Sequence, residues 1–314
     1  MTPNKKMISI IFSFRNEEEN LHPLIQRIEN VFKPLGFEYE MIFVNDDSTD
    51  HSLDILLNNR KKNPRIKIVN MSRRFGVHPC VMAGLNRAKG DAVIYMDTDL
   101  QDPPELIPEM IKKWENGADV VHTKRRTRQG ESPFKMWVTR KAYKIIDLFS
   151  EVPIPSNCGD FKLLSRKVLH HLLKFKEYNP FMRGLSLWIG HNQEFLEYDR
   201  EPRHGGKTHF SLFSLGPIKE FERGMINFSE FPLKISLIIG FIAATLSFLY
   251  IPIILINKLL GSNLPGWSAL MTATVFLNGM ILFTIGIVGL YIGRIYKEVQ
   301  GRPSYIIKEK IGFD

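Results

Sequence analysis

Two long uncharged stretches in the C-terminal third constrain the fold of this chain more than any other feature. Residues 235–257 hold no charged side chain, and after Lys258 the next charge is Arg294. About 20 apolar residues are enough for a helix to cross the hydrocarbon core of a bilayer. We therefore expect two transmembrane helices, at Ile235–Ile256 and Ser268–Ile292. A pair of buried core helices is the alternative interpretation.

Positive charges flank these two stretches and predict their orientation. Lys and Arg concentrate on the cytoplasmic side of membrane helices. The flanking charges are Lys219, Arg223, Lys234, Arg294, Lys297, Arg302, Lys308 and Lys310. The sequence thus predicts a multi-pass protein of the inner or plasma membrane. Its hairpin occupies residues 233–293, and both the large N-terminal domain and a C-terminal tail, residues 294–314, are cytoplasmic.

The segment before the first stretch, residues 211–232, has the pattern of an amphipathic helix. Ile218, Phe221, Met225 and Phe228 recur at helical spacing, with charged residues between them. Such a helix suits the membrane surface, and an ordinary core-facing helix is the alternative.

Residues 1–210 alternate between strand-like and helix-like segments. The predicted strands are ISIIFSF, YEMIFV, IKIVNMS and AVIYMD, and the predicted helices are EENLHPLIQRIENVF, SLDILLNNRKK, residues 78–87 and PPELIPEMIKKWENG. This order predicts an α/β domain with a Rossmann-like, mostly parallel sheet.

Composition narrows the functional classes. The chain carries a formal net charge of +9, with pI ≈ 9.4, which suits nucleic acid, phosphate-bearing substrates or an anionic membrane surface. We favour phosphate ligands and a membrane over nucleic acid, because they also explain the apolar stretches. Cys80 and Cys158 have no metal-type spacing, so we expect reduced thiols.

Polar residues follow each predicted strand, where parallel sheets bind their ligands. Asp97 and Asp99 flank Thr98 directly after a strand, and Gln101 adds a neutral oxygen. Oxygen ligands of this kind suit Mg²⁺ or Mn²⁺ with a substrate phosphate completing the shell. We interpret the next two acidic residues, Asp102 and Glu105, as helix-start charges that complement the helix dipole.

The other strand ends carry candidate contacts to a nucleotide. Asp46 is placed to accept a hydrogen bond from a nucleobase, whereas Asp50 suits a helix N-cap. Arg73 and Arg74 could meet a diphosphate, with a solvated basic pair as the alternative. Glu17 is the member of its acidic run that we expect to face the site. A basic run over residues 124–144 suggests contact with anionic headgroups or a lipid phosphate, or else a solvated face.

Seven stretches carry a resemblance to a known family. They are FRNEEEN, FVNDDSTD, SRRFGVHPCVMAGL, GDAVIYMDTDLQDPPE, GDFKLLSRKVL, RHGGKTHFS and GLYIGRIYKEVQGRPSY. With them the chain resembles the polyprenyl-phosphate glycosyltransferases of family 2, which have the GT-A fold. This group includes bactoprenol glucosyltransferases, dolichyl-phosphate mannose synthases and aminoarabinose–undecaprenyl-phosphate transferases. The resemblance covers nearly the whole chain.

The resemblance implies a nucleotide-sugar donor, a polyprenyl phosphate acceptor, a divalent cation (Mg²⁺ or Mn²⁺) and a homo-oligomer. It puts three residues near the nucleoside, Asn16, Glu17 and Asp46, and it puts Arg73 near the diphosphate. The metal ligands would be Asp97, Asp99 and Gln101. Asp160 would face the donor sugar and the acceptor, as orienting group or base, and Arg203 would lie near the diphosphate. The resemblance also implies that Ser165 and Arg166 contact the acceptor phosphate. From the basic residues we add Arg126 and Arg140 as candidates for the same contact.

Several positions depart from the family pattern. The family's P-x-Y-N-E reads Ser13 to Glu17 here, its D-D-G-S reads Asn45 to Ser48, and a loop serine and lysine become Thr208 and His209. These changes bear on the donor. We expect an inverting transfer of glucose from UDP-glucose to undecaprenyl phosphate. Alternative donors are GDP-mannose, a UDP-N-acetylhexosamine or a UDP-aminoarabinose type. A processive polysaccharide synthase would need more membrane spans and a Q-x-x-R-W-type acceptor motif, and the sequence shows neither. A non-catalytic membrane scaffold is the alternative from another class.

Overall fold

The computed structural model describes residues 6–126, 155, 158–175, 177, 180–200, 231–260 and 266–313. Its strands are β1 (Met7–Phe14), β2 (Glu38–Asn45), β3 (Ile66–Met71), β4 (Ala92–Asp97), β5 (Val120–Arg125), β6 (Cys158–Ser165), β7 (Gln193–Tyr198) and β8 (Ile307–Ile311). They form one sheet in the order β7-β5-β6-β4-β1-β2-β3-β8.

The described residues form eight α-helices, of which the first four alternate with the strands as predicted. They are α1 (Glu18–Phe32), α2 (Ser52–Lys62), α3 (Val77–Leu85), α4 (Ile107–Glu115), α5 (Arg166–Leu172), α6 (Met182–Trp188), α7 (Phe231–Leu259) and α8 (Trp267–Val299). A 3-10 turn, Pro104–Leu106, leads into α4. Proline suits this first turn, because its missing N–H would have no partner inside the helix.

The sheet has a parallel centre and antiparallel additions. β1 pairs in parallel with β2 and β4, and β2 pairs in parallel with β3. β6 lies antiparallel between β4 and β5, and β7 is parallel to β5. The predicted α/β class with a mostly parallel centre is confirmed. The insertion of β6 brings the carboxyl ends of β1, β2, β3, β4, β5 and β7 to one edge of the sheet, which we call the carboxyl edge.

Apolar side chains cover both faces of the sheet. One cluster joins Ile10 and Phe12 of β1 to α1 and α4, and the other joins Ile11 of β1 to α3, α5 and α6. Successive residues of a strand point to opposite faces, so β1 supplies both clusters. This double burial explains why the central strands are continuous apolar runs.

The C-terminal residues are part of the sheet. β8 pairs antiparallel with β3, from Ile68↔Ile311 to Met71↔Ile307. Tyr305, Ile307 and Phe313 pack against the apolar cluster on the α3 face. The predicted separation of residues 294–314 as a tail beyond the N-terminal domain is therefore corrected: α8 runs to Val299, and the chain then completes the sheet.

Helices α7 and α8 are long and apolar, and they contact each other. Within the described residues, Pro232–Tyr250 and Ala269–Val299 have the length and composition needed to cross a membrane. Large apolar side chains on both helices are exposed, among them Phe248 and Leu282. The positions agree with the predicted spans, and membrane insertion itself stays a prediction.

Helix α3 approaches the sheet so closely that one of its positions has no room for a side chain. A Cβ atom added at Gly84 would lie 2.4 Å from Ile11 Cγ2 and 3.2 Å from Val44 Cγ2. We expect Gly84→Ala to lower the free energy of unfolding by about 1–3 kcal/mol through overpacking. Thermal unfolding measures the change.

The matched control is Gly279→Ala in α8, where an added Cβ meets nothing within 4 Å. Both variants gain the helix propensity of alanine. Equal melting temperatures for the two variants would contradict the close approach of α3 to the sheet.

Candidate active site at the carboxyl edge of the sheet

The strand register brings the polar clusters of the sequence into one row. Asn45 pairs with Phe14 and with Asn70, and Asp97 pairs with Ser13. β6 runs in the opposite direction, with Tyr95 opposite Lys162. Its first residues therefore lie beside the end of β4, and continuing the register places Asp160 opposite Asp97. The structure thus brings together Asp97 and Asp160, 63 positions apart in the sequence.

The turn after β4 leaves Asp97 and Asp99 partly buried and fully buries the residues that directly follow each of them. Thr98 and Leu100 are 3% exposed, whereas Asp97, Asp99 and Gln101 are partly exposed. Leu100 has a φ of 58°, an uncommon conformation for a residue with a side chain. The N–H of Gln101 donates to Asp99 Oδ1 at 3.2 Å and closes the turn. The three predicted metal ligands are therefore held on one short turn.

Negative charge accumulates at this turn. Burial, followed by the charges of Asp99, Asp160 and Asp102, raises the pKa of Asp97 to about 7. Asp102 is 1% exposed, and its Oδ2 has no hydrogen-bond partner among the described residues. Carboxylates crowded in this way have the chemistry that a hard divalent cation requires.

The described residues contain no group of three or more His, Cys, Asp or Glu side chains arranged around a metal position. The donor set is instead two carboxylates and an amide. Such a set fits Mg²⁺ or Mn²⁺, which take few protein ligands and complete their shells with substrate phosphates and water.

Asp160 is held by an arginine that the sequence analysis did not identify. Arg183 Nε donates to Asp160 Oδ1 at 2.9 Å, and Arg183 Nη2 donates to Oδ2. Burial alone would raise the pKa of Asp160, but the charge and hydrogen bonds of Arg183 outweigh burial and hold it below its usual value. Asp160 is therefore an ionised carboxylate with a fixed orientation.

A second missed cluster surrounds Asp102. The Tyr198 hydroxyl donates to Asp102 Oδ1, while Arg125 Nη2 lies 3.6 Å and Arg200 Nε 3.7 Å from the same oxygen. Arg200 Nη2 also lies 3.8 Å from Asp99 Oδ2. The interpretation of Asp102 as a helix-start charge is wrong, because its carboxylate is buried in this cluster before the 3-10 turn. Glu105 does lie in that first turn, where it pairs with Arg27.

The buried residues on β6 and β4 beside Asp160 were also missed. Lys162 is 1% exposed, and its Nζ donates to Ser186 Oγ at 2.8 Å. Burial lowers the pKa of Lys162 to about 8, against the opposing effect of Asp160. Tyr95 lies under this lysine, with Nζ 5.6 Å from the ring centroid. An apolar strand pattern broken by a single lysine was the only sequence signal for this group.

On the other side of Asp97, hydrogen bonds join the loops after β1 and β2. Asn16 Oδ1 accepts from the N–H of Thr49 at 2.8 Å, and the N–H of Asn16 donates to Ser48 Oγ at 3.1 Å. Asn16 has a φ of 56° and is exposed. Glu17 is buried, and its Oε2 accepts from Asn20 Nδ2 at 2.6 Å. Asn16 is thus exposed at the carboxyl edge, whereas the buried side chain of Glu17 contacts Asn20 in the first turn of α1.

Asp46 organises the loop that carries the predicted diphosphate contacts. Its Oδ1 accepts from the N–H of Phe75 at 2.6 Å, and its Oδ2 accepts from the N–H of Gly76 at 3.0 Å. Arg73 is exposed, and its guanidinium lies 4.1 Å from the centroid of the Phe75 ring. Both Asp46 and Arg73 lie at the predicted edge, and Asp46 contacts the backbone of this loop and the side chain of Cys80.

Two predicted acceptor contacts lie at the opposite edge of the sheet. Ser165 is the N-cap of α5, accepting from the N–H of Val168 and donating to Asp119 Oδ1. Arg166 donates to the carbonyl oxygens of Ala88 and Gly90. This placement contradicts a shared acceptor site with Asp160, because β6 is antiparallel and carries its two ends to opposite edges.

Arg126 follows β5 at the carboxyl edge, with its Nε 3.5 Å from Glu197 Oε2 and most of its side chain exposed. Arg140, Arg203, Thr208, His209 and the predicted amphipathic segment lie outside the described residues. Cys80 and Cys158 are free and buried, as expected for reduced thiols.

His122 of β5 provides a test of the electrostatics behind the site. It is 1% exposed, stacks on Phe195 and bonds Gln193 Oε1 at 3.0 Å. Burial, followed by the charge of Lys162, lowers the pKa of His122 to about 3 from 6.5. Between pH 6.5 and pH 3 the imidazole of His122 is therefore protonated in the unfolded chain and neutral in the native chain. The free energy of unfolding consequently falls as the pH drops from 6.5 towards 3.

At pH 5 the loss from His122 is about 2 kcal/mol, at about 1.4 kcal/mol per pH unit. We expect His122→Gln to reduce the difference in melting temperature between pH 7 and pH 5. His51→Gln, at an exposed position, is the control and should keep the full difference. Unchanged pH dependence in His122→Gln would contradict a neutral buried imidazole.

Comparison with known proteins gives the family. Residues 9–173 match the family model Glycosyl transferase family 2. An uncharacterised glycosyltransferase of Synechocystis sp. is 41% identical, over 98% of this chain and 96% of that protein. The SfII prophage-derived bactoprenol glucosyl transferase of Shigella flexneri is 38% identical, over 96% of this chain and 97% of that protein.

The fold agrees with this assignment. A crystal structure of glucosyl-3-phosphoglycerate synthase from Mycobacterium tuberculosis, solved with Mn²⁺, UDP and phosphoglyceric acid, superposes with a TM-score of 0.50. It is 16% identical and covers 70% of this chain and 76% of that chain. The likeness confirms the GT-A type of fold. The chain belongs to glycosyl transferase family 2 and is a glycosyltransferase.

Proposed function

We propose that this glycosyltransferase moves glucose from UDP-glucose to a polyprenyl phosphate in the membrane, with a divalent cation and with inversion at the anomeric carbon. The observation that carries the proposal is the meeting of Asp97 and Asp99 with the Asp160–Arg183 pair at the carboxyl edge of the sheet. A cation and a sugar diphosphate fit the acidic side of this site, and an ordered carboxylate faces it.

The acceptor class follows from the relatives and the apolar helices. Relatives 36–38% identical over 96% of this chain are named bactoprenol glucosyl transferases. The exposed apolar surfaces of α7 and α8 need a lipid environment. We infer that the two helices lie in the bilayer and hold the catalytic domain at its cytoplasmic surface. A lipid phosphate in the headgroup layer would then be within reach.

The chemistry requires positioning more than proton transfer. A phosphate monoester is already anionic near neutral pH and can attack the anomeric carbon without a strong base. Asp160 suits an orienting role, because its lowered pKa makes it a weak base. Inversion follows from a single in-line displacement.

Charge on the leaving diphosphate must be neutralised as the bond breaks. A divalent cation held by Asp97, Asp99 and Gln101 would supply this stabilisation as a Lewis acid. Arg200 lies beside Asp99, and Arg73 lies on the loop after β3 at the same edge of the sheet, so both are candidates to add positive charge. Arg126 is at the same edge and remains a candidate contact for the acceptor phosphate.

The donor is tested by a panel of nucleotide sugars. The purified full chain is incubated with undecaprenyl phosphate, Mn²⁺ and each of UDP-glucose, GDP-mannose, UDP-N-acetylglucosamine and UDP-aminoarabinose derivatives. We expect the glycolipid to form fastest with UDP-glucose as the donor. Faster transfer of another sugar would overturn the glucose assignment and leave the acceptor class standing.

Asp99→Ala should lower the transfer rate by about 100-fold or more, because the diphosphate loses its compensating charge. Titration with Mn²⁺ in the presence of the nucleotide should show weaker cation binding than in the wild type. Asp54→Ala, at an exposed position on α2, is the control. If Asp99→Ala had the turnover and the cation affinity of the wild type, Asp99 would not be a metal ligand.

Arg183→Ala should reduce kcat by about tenfold or more, since Asp160 loses a bidentate partner. Arg183→Lys keeps the charge but not the fork of two hydrogen bonds, so an intermediate rate is expected. Asp160→Asn should be at least as slow as Arg183→Ala. Arg87→Ala is the control at an exposed arginine, and equal kcat in all four variants would remove the Asp160–Arg183 pair from the site.

A further inference from the structure

The C-terminal strand lies against the side of the site proposed to bind the nucleotide. β8 is paired with β3, and Glu309 stands opposite Asn70. The N–H of Ser72 donates to the carbonyl oxygen of Ile306 at 3.0 Å, directly before the arginines of the next loop. Because β8 is antiparallel to β3, the chain arriving from α8 reaches the sheet at its carboxyl edge.

Side-chain hydrogen bonds continue from β8 across two strands. Asn70 Nδ2 donates to Glu309 Oε2 at 3.1 Å, and Asn45 Nδ2 donates to Asn70 Oδ1 at 3.2 Å. Asn45 Oδ1 accepts from the N–H of Ser48 at 3.0 Å. Both amide groups are buried, at 5% and 6% exposure, and each is bonded at its nitrogen and its oxygen. Their orientations are therefore mutually fixed.

This chain of hydrogen bonds ends at Asn16, which is exposed at the carboxyl edge. Ser48 Oγ accepts from the N–H of Asn16 at 3.1 Å, and Asn16 Oδ1 accepts from the N–H of Thr49. Asn16 holds an uncommon backbone conformation, φ 56°, which persists only where neighbouring contacts enforce it. We call Glu309, Asn70, Asn45, Ser48 and Asn16 the amide relay.

We propose that Glu309 is a positioning residue for the nucleotide part of the donor, acting through the amide relay on the loops at Asn16 and Ser48. This inference rests on the proposed function for its ligand. Glu309 itself is exposed on β8 and lies two strands away from those loops. The C-terminal segment thus completes the donor side of the site, and it also connects that side to α8.

The test uses the purified full chain with Glu309→Ala, Glu309→Gln and the control Lys310→Ala, an exposed neighbour on the same strand. The first readout is hydrogen exchange of the backbone amides of residues 46–50. Glu309→Ala should speed exchange at Ser48 and Thr49 by about three- to tenfold, as expected when one supporting hydrogen bond is lost. Glu309→Gln keeps an acceptor oxygen and should match the wild type, as should Lys310→Ala.

The second readout is transfer from UDP-glucose to undecaprenyl phosphate. Glu309→Ala should raise KM for UDP-glucose by about three- to tenfold with kcat within about twofold of wild type, since the reacting groups are untouched. A fall in kcat at unchanged KM would overturn the positioning role.

The experiments distinguish failure of the Glu309 proposal from failure of the proposed UDP-glucose donor. Equal exchange in Glu309→Ala and Lys310→Ala would overturn the amide relay, whatever the enzyme transfers. A wild-type protein that transfers nothing from UDP-glucose would overturn the proposed donor, while the exchange rates would still decide whether Glu309 supports the loops.

Discussion

Repulsion among carboxylates at the end of β4 is the constraint on which the rest of the site depends. Asp97, Asp99, Asp102 and Asp160 meet there, and the pKa of Asp97 rises to about 7 as a consequence of burial and of its neighbours. Like charges that interact in a buried site disfavour ionisation unless opposite charges compensate them. Arg183 supplies it for Asp160, and Arg125 and Arg200 supply it for Asp102. Arg200 also lies 3.8 Å from Asp99, and the cation that we propose at Asp97 and Asp99 would compensate the remaining charge.

Sheet topology is what gathers these groups. β6 enters antiparallel between β4 and β5, so its first residues reach the carboxyl edge while its last residues leave it. β5 and β7 bring Arg125, Tyr198 and Arg200 to the same edge. β8 then adds the C-terminal segment beside β3. The acidic half of the edge and the half proposed to bind the nucleotide thus share one sheet, which apolar side chains cover on both faces.

Local patterns in the sequence predicted local structure well. Helices α1 and α2 have the expected bounds, and β4 ends at Asp97 as predicted, because apolar periodicity and turn residues determine such elements. The predictions were wrong where a residue's position or partners depend on a strand that is distant in the sequence. Ser165 and Arg166 lie at the edge opposite the candidate site. The spacing of residues in the sequence does not predict that β6 is antiparallel to its neighbours. Asp102 was misread because its partners, Tyr198 and Arg200, are about 100 positions away.

The role of Arg183 and the C-terminal strand were also not predicted, because their partners are distant in the sequence. A basic residue on a short helix and a five-residue strand after a long apolar helix carry no local signal of their partners. The family resemblance located Asp160, but only the fold reveals the arginine that holds it. Asn45, which departs from the family pattern, is explained by its bond to Asn70.

Locating the cation tests the central claim most directly. Crystals of the full chain grown with Mn²⁺ and UDP, measured for anomalous scattering of manganese, would show where the ion binds. We expect a peak roughly 2.0–2.2 Å from carboxylate oxygens of Asp97 or Asp99, with diphosphate oxygens in the same shell. A manganese ion bound to the diphosphate but away from both carboxylates would contradict the proposed metal site.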